Sequence, residues 1–312
     1  MTFEEFLNEW RDGRNAITAH TSGSTGEAKE ISLSKEFMKR SARRTNTFFS
    51  IDGHSRLHSC VGADFIGGKM MAVRSEIAGC EFTWETPTNR PLADLGRNEE
   101  ITLLSVVPSQ MLHILDHIKD LPHVATFLIG GAPIQPELRK RIAEAGLNAY
   151  ESYGMTETAS HIALRKVNEE EGRFIPLSGI SVGVDERECL VISFDTGERF
   201  ITNDIAAIAA DGSFTIEGRY DNVIITGGRK VNPESVERRI SHLFKGEIMV
   251  TSEADEKWGR KVVLLIEEPH YPGGEQAIRG KLEELLSPWE RPKRIILNSD
   301  IPHTPNGKIK RR

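Results

Sequence analysis

The stretch His20-Thr21-Ser22-Gly23-Ser24-Thr25-Gly26-Glu27-Ala28-Lys29 gathers hydroxyl side chains, two glycines and a lysine between two β-like runs. Phosphate binding asks for this composition. Glycines let backbone N–H groups approach oxygens, hydroxyls donate hydrogen bonds, and a lysine adds a point charge. The spacing is not the Walker pattern G-x-x-x-x-G-K-S/T, and no helix start follows at once. A Ser/Gly-rich stretch also reads as a flexible surface linker, and composition alone leaves both readings open.

Four further clusters carry candidate chemistry. In Glu151-Ser-Tyr-Gly-Met-Thr-Glu157, an apolar α/β pattern runs into a turn, the place where open α/β sheets build ligand sites. There Thr156 could donate to a phosphate, and Glu157 is a hard oxygen ligand suited to Mg²⁺, or else a surface carboxylate beside a helix start. Gly130-Gly131-Ala132-Pro133 follows a short apolar strand and could pass close to a flat base. Asp204, in Ile201-Thr-Asn-Asp204, could accept hydrogen bonds from ribose hydroxyls or be a turn residue. The last cluster, Pro302-His-Thr-Pro-Asn-Gly-Lys308, holds a lysine on a Pro- and Gly-punctuated loop, or is a solvated basic terminus with Lys310, Arg311 and Arg312.

Elements of alternating type must position these groups. Thr2 and Glu5 form a capping box ahead of Phe3, Phe6, Leu7 and Trp10 at helical spacing, so a short amphipathic helix opens the chain. Strands are expected at 16–19 and 30–34, and helices at 35–47, 66–78, 108–119 and 136–145, with a short apolar strand at 126–129; this predicts an α/β layer with mainly parallel strands. From about 160 to 217, short β-like runs broken by Gly and Asp suggest a small antiparallel sheet or barrel. Beyond Gly218–Asp221, which reads as a hinge, helices at 233–243 and 275–286 among strands at 248–252 and 261–267 form a small α+β part. The double glycine Gly227-Gly228 precedes Asn232-Pro233, a helix start.

Composition bounds the rest. The 312 residues exceed the roughly 250–300 at which single cores stop growing, so two domains are expected. A net charge of −6 argues against a generic nucleic-acid binder. Cys60, Cys80 and Cys189 are far apart and in no metal spacing, which suits buried free thiols in a reducing compartment. No apolar stretch approaches the ~18 residues needed to cross a bilayer. The N-terminus is acidic where a signal peptide would be basic, so a cytoplasmic location without a membrane span is expected.

In identity and order the loop at Thr21 to Lys29, Tyr153 to Glu157, Asp204, Gly218 to Asp221 and Gly307-Lys308 together resemble the adenylate-forming (AMP-binding) superfamily of acyl-CoA synthetases, aryl-acid ligases, peptide-synthetase adenylation domains and beetle luciferase. The resemblance implies a phosphate loop at Thr21, Ser22, Gly23, Ser24, Thr25, Gly26 and Lys29. It implies a Y-G-x-T-E motif at Tyr153, Gly154, Thr156 and Glu157, and a ribose pair in Asp204 and Arg219. Gly131 and Ala132 would flank adenine, Asp221 would be the hinge and Lys308 the catalytic lysine. The Gly227-Gly228 strand would lie beside the pantetheine of coenzyme A, where a glycine is needed for close approach. ATP, Mg²⁺ and coenzyme A are the implied cofactor and co-substrates, a carboxylic acid the substrate. The resemblance further implies a truncated AMP-binding domain over 1–218, its mixed, mainly parallel sheet joined by a small β subdomain, and a mobile α+β lid over 219–312. Only about twenty residues precede the phosphate loop, where superfamily members carry a long further subdomain, and Thr-Asn-Asp204 stands where Thr-Gly-Asp is usual.

Within the superfamily, Gly154-Met-Thr-Glu-Thr-Ala-Ser-His161 and Val223-Ile-Ile-Thr-Gly-Gly-Arg-Lys230 most resemble the o-succinylbenzoate-CoA ligases of menaquinone biosynthesis. Arg74 lies on an apolar helical run at a place where those ligases also carry an arginine. A buried arginine needs an anion: the substrate's second carboxylate, or Glu76 or another internal acid. His161 could line the acyl pocket or be structural. The readings carried forward are an acid-thiol ligase, the same chemistry on another acid or with a carrier-protein thiol, and a non-catalytic nucleotide-binding remnant. The resemblance also allows a homodimer.

Overall fold

The computed structural model describes residues 1–20, 29–167, 172–303 and 309–311. The opening helix is Phe3–Arg11. The Thr2 hydroxyl accepts the Glu5 N–H at 3.1 Å while the Glu5 carboxylate accepts the Thr2 N–H at 2.7 Å, so both orphan donors are satisfied. Ala16–His20 and Glu30–Ser34 pair antiparallel, with His20 opposite Glu30.

The chain divides into two compact units. The first comprises Met1–Ser181, Ser193–Phe200 and Ala210–Ser213; the second Val182–Ile192, Ile201–Ala209 and Phe214–Arg312. The first is built on a seven-stranded sheet ordered Ile175–Pro176, Ser160–Lys166, Ala149–Met155, Phe127–Ile129, Leu103–Val106, Arg56–Ser59, Glu81–Trp84. The last five are parallel, and Ser160–Lys166 runs antiparallel to the neighbour on each side of it. The expected small sheet over 160–217 therefore loses its first two strands to this sheet. A turn of three residues, Thr156–Thr158, folds Ser160–Lys166 straight back onto Ala149–Met155, as short connections between consecutive strands dictate.

Successive side chains of the central strands enter opposite cores. Leu104, Phe127 and Ile129 join Met111, Ile114 and Ile142, whereas Leu57, Leu103 and Leu128 join Met71 and Leu164. A sheet covered on both faces needs such unbroken apolar strands. Helix Ile66–Ala78 is buried continuously from Gly68 to Ser75. It is therefore enclosed on all sides rather than along one apolar face.

In the second unit, strands Ile248–Asp255, Gly259–Ile266 and Arg294–Ile296 form a sheet. Val250, Val262, Leu264 and Ile266 share a core with Val236 and Ile240 of helix Pro233–Ile240 and Ile278 and Leu282 of helix Gly274–Leu285. The same unit holds the paired residues of Arg199–Ile208 and Phe214–Arg219. Among the described residues no helix is long and apolar enough to cross a membrane.

Candidate active site

Because Arg56–Ser59, Leu103–Val106, Phe127–Ile129 and Ala149–Met155 run parallel, their carboxyl ends share one edge. Gly131 and Ala132 follow the third of these strands, and Tyr153 and Gly154 end the fourth. The strand order reverses around Arg56–Ser59, the arrangement whose carboxyl edge forms a ligand crevice in doubly wound sheets.

Glu151 stitches two of these segments together. Its buried carboxylate accepts the Ile134 N–H at 3.2 Å and Arg165 at 2.7 Å, and pairs with Arg139. The Gly130–Ile134 loop is thereby fixed to the strand that bears Tyr153. Ser152 adds a second stitch, donating to the Ile129 carbonyl at 3.1 Å.

Beyond Met155 the chain enters the Thr156–Thr158 turn, where Thr156 and Glu157 are half-buried. Thr158 Oγ1 accepts the Met155 N–H at 3.1 Å and lies 2.8 Å from the Ser160 carbonyl. Ala159 and Ser160 then take φ of 51° and 83°, a left-handed pair that costs non-glycine residues about 1–2 kcal/mol each. Such strain persists only where surrounding contacts over-determine it. Gly154 sits opposite His161, and a Cβ there would overlap the Ser160 carbonyl and the His161 Cα. Only glycine lets the two strands approach so closely.

Ser160 and His161 carry this segment to Arg74, which is 1% exposed. One guanidinium nitrogen, Nη2, lies 3.3 Å from His161 Nδ1 and 3.4 Å from Ser160 Oγ, while Nε has no partner among the described residues. The expected pairing with Glu76 is not formed: Glu76 takes Arg11 at 2.6 Å instead. No carboxylate among the described residues pairs with Arg74, and burial alone pulls its guanidinium down to about 9. Burial first, and the Arg74 charge second, hold the His161 imidazolium well below its ordinary range.

In the second unit, Asp204 stands opposite Arg219 across paired strands and meets its guanidinium at 3.2 Å. Asp221, in the turn Tyr220–Asn222, takes the other arm of Arg219 at 3.1 Å and the Asn203 amide at 3.1 Å. The expected ribose pair and hinge residue therefore form one polar cluster. Gly227 and Gly228 are not strand residues as expected. They make the tight turn between Ile224–Thr226 and Arg229–Val231, with φ of 53° and 76°, the geometry a two-residue hairpin demands. The Gly227 N–H donates to the Trp258 carbonyl at 2.9 Å.

Thr21, Ser22, Gly23, Ser24, Thr25, Gly26 and Lys308 lie outside the described residues. Around the last, His303 bridges Ile309, and the Lys310 N–H donates to the Pro302 carbonyl at 2.7 Å. Lys29 is described and exposed. Glu151, Thr45 and Ser160 escaped sequence reasoning as positioning groups; a carboxylate inside a strand is the one available signal, and it could have found Glu151 alone.

A parallel α/β sheet whose polar segments gather at its carboxyl edge, followed by a small α+β unit, defines the fold of adenylate-forming enzymes. The family model "AMP-binding enzyme" matches residues 7–218, and the chain belongs to that family. Curated relatives include 2-succinylbenzoate–CoA ligases of Haemophilus influenzae, 24% identical over 89% of this chain and 66% of the relative, and of Listeria monocytogenes, 26% identical over 98% and 71%. The chain thus spans about two thirds of the length of these relatives. Among solved structures, an acyl-CoA synthetase (AMP-forming)/AMP-acid ligase II-like protein of Dyadobacter fermentans is 33% identical, with TM-score 0.64 over 98% of this chain and 90% of its own. The o-succinylbenzoate CoA synthetase of Bacillus subtilis, solved with its acyl-adenylate intermediate, shares the fold at TM-score 0.81 and 21% identity, over 94% of this chain and 67% of its own.

Proposed function

We propose that this chain activates o-succinylbenzoate with ATP to an acyl-adenylate and passes the acyl group to coenzyme A. The observation that carries the reading is Arg74, a fully buried guanidinium with an unsatisfied Nε and no acid partner among the described residues. A charge kept in that state awaits an anion, and the planar fork suits a carboxylate that does not react. The substrate named for the curated relatives is a dicarboxylate, with one carboxylate to activate and one to hold.

In the first half-reaction the acid's reacting carboxylate attacks the α-phosphate and pyrophosphate leaves; the protein's part is alignment and charge neutralisation. Thr21–Gly26 and Lys29 hold the outer phosphates, Thr156 meets the α-phosphate, and Lys308 bridges the carboxylate and the α-phosphate. Glu157, a half-buried carboxylate at a turn, fits the hard oxygen donor that Mg²⁺ takes beside substrate phosphates; the bound ion would supply charge neutralisation there. Gly131, Ala132 and Tyr153 receive adenine, with Gly154 keeping that strand close to its neighbour. Asp204 and Arg219 receive the ribose, and His161 lines the acyl pocket beside Arg74. For the second half-reaction, residues 219–312 turn as a lid about Asp221, bringing the Gly227-Gly228 turn to pantetheine. The reaction is cytoplasmic.

Acid-dependent exchange of labelled pyrophosphate into ATP over a panel of carboxylic acids tests the reading. Exchange with o-succinylbenzoate followed by coenzyme A consumption is expected; exchange with monoacids alone overturns the substrate, and no exchange with any acid overturns catalysis. Lys308→Ala should abolish exchange yet spare thioester formation from supplied acyl-adenylate.

A further inference from the structure

Away from the groups used above, three metal-ligating side chains of different chemistry converge in the first unit. The ligand atoms of His58, Cys60 and Glu85 all lie within 4.8 Å of one another. The backbone fixes their origins. His58 lies on Arg56–Ser59 opposite Thr83 of Glu81–Trp84. The Cys60 N–H donates to the Ser105 carbonyl at 3.0 Å, its own carbonyl accepts buried Gln110 at 3.0 Å, and the Glu85 N–H donates to the Ser59 carbonyl at 3.2 Å. All three ligands thus leave the carboxyl ends of two adjacent parallel strands.

The hydrogen bonds leave donor atoms unused in the middle. The Thr83 hydroxyl reaches the Leu57 carbonyl at 3.5 Å and His58 Nδ1 at 2.7 Å. With a cation at Nε2 the ring proton sits on Nδ1 and is donated to the Thr83 hydroxyl, which can turn its own proton toward the Leu57 carbonyl. Nε2, on a side chain 1% exposed, has no hydrogen-bond partner among the described residues, and Glu85 Oε1 is likewise buried and unsatisfied. Nε2 faces Glu85 Oε2 at 3.6 Å, and that oxygen also accepts the Leu92 N–H at 2.9 Å. A cation between the two side chains would satisfy both buried atoms, Nε2 and Oε1.

We propose that His58 Nε2, Cys60 Sγ and Glu85 form a zinc-class divalent cation site. One imidazole, one thiolate and one carboxylate are the mixed donors that Zn²⁺ accepts, with water free to take the fourth tetrahedral position. Their combined charge of minus two balances the ion, and on binding the Cys60 thiol proton passes to solvent. Zinc bond lengths set tetrahedral donors about 3.5 Å apart, so the cluster must contract by about an ångström. Glu85, whose side chain is 20% exposed, has the freedom to close that gap. Thr83 is the outer partner that fixes the imidazole tautomer, as metal-bound histidines require.

The full chain, freed of metal by a chelator, is titrated with Co²⁺ as spectroscopic probe and then with Zn²⁺. A thiolate-to-cobalt charge-transfer band saturating at one equivalent and displaced by Zn²⁺ is expected. Cys60→Ser should lose the band, and Thr83→Val should weaken Co²⁺ binding roughly 10- to 100-fold. Glu85→Gln, confirmed folded by circular dichroism, should weaken it at least as much. A wild-type chain with no such band, or a band that survives Cys60→Ser, overturns the proposal.

Discussion

Arg74 donates through Nη2 to His161 Nδ1 at 3.3 Å, with both side chains buried. A guanidinium has no lone pair to offer, so Nδ1 is the acceptor and the ring proton sits on Nε2. That nitrogen donates to Thr45 Oγ1 at 3.0 Å, and the Thr45 hydroxyl donates to the Ser41 carbonyl at 3.3 Å. One neutral histidine tautomer thus aligns the guanidinium, and the pair links helix Ile66–Ala78 to the strand that follows the Y-G-M-T-E segment.

Replacing Arg74 by methionine separates function from stability. The unpaired buried charge is costly in the free protein, and well-packed apolar replacements of buried ions are often neutral or stabilising. Arg74→Met should melt at or above the wild-type temperature without ligand. Its KM for o-succinylbenzoate in pyrophosphate exchange should rise roughly 10- to 100-fold, the loss expected for a hydrogen bond to a charged group. A melting point several degrees lower would mark Arg74 as a structural clamp instead.

His161 gives stability a pH dependence of definite sign. The buried ring is neutral and its imidazolium is held well below 6.5, by burial first and Arg74 second, while the unfolded chain takes up a proton near that pH. The unfolded state therefore binds more protons as pH falls below about 6.5, and stability declines by up to about 1.4 kcal/mol per pH unit from this group. Urea midpoints of His161→Gln, whose amide can accept from Arg74 and donate to Thr45, should fall less between pH 7 and pH 5 than those of the wild type. Parallel curves would assign the dependence to other groups.

Gly154→Ala should cost stability as well as activity. Its new Cβ meets backbone atoms of Ser160 and His161, which cannot swing aside as a flexible side chain would. Overpacking of this kind costs about 1–3 kcal/mol. Chemical denaturation measures the first effect, and the KM for ATP, expected to rise, measures the second.

Glu151→Gln removes the charge shared by Arg139 and Arg165 while keeping an acceptor for the Ile134 N–H. Breaking one side of a buried ion pair costs about 3 kcal/mol. If Gly131 and Ala132 receive adenine, ATP affinity should fall more than affinity for the acid. Equal KM changes for both would detach the loop from nucleotide binding.

The paired glycines allow a finer comparison. At Gly227 a Cβ would lie 2.6 Å from the Trp258 ring, whereas at Gly228 it meets open space and only the left-handed φ opposes it. Gly228→Ala should cost about 1–2 kcal/mol, and Gly227→Ala more, with thioester formation slowed further than pyrophosphate exchange. Equal loss of both half-reactions would remove the turn from coenzyme A binding.

By itself the sequence determined much of the local structure and the inventory of chemical groups. The Thr2–Glu5 capping box, the Asn232-Pro233 helix start and the run of apolar strands depend on neighbours a few residues apart, so their signals survive in a linear string. Candidate groups such as Tyr153, Asp204, Arg219 and Asp221 were legible because short motifs fix residue types at fixed spacing. Tertiary structure decided which charges have partners. Arg74 meets His161 across 87 positions of chain, Glu76 goes to Arg11 across 65, and His58 comes within reach of Glu85 only because their strands lie side by side. It also decided that Ser160–Lys166 joins the large sheet. Pairing, burial and tautomer are set by which surfaces the folded chain brings into contact, and no local pattern encodes that.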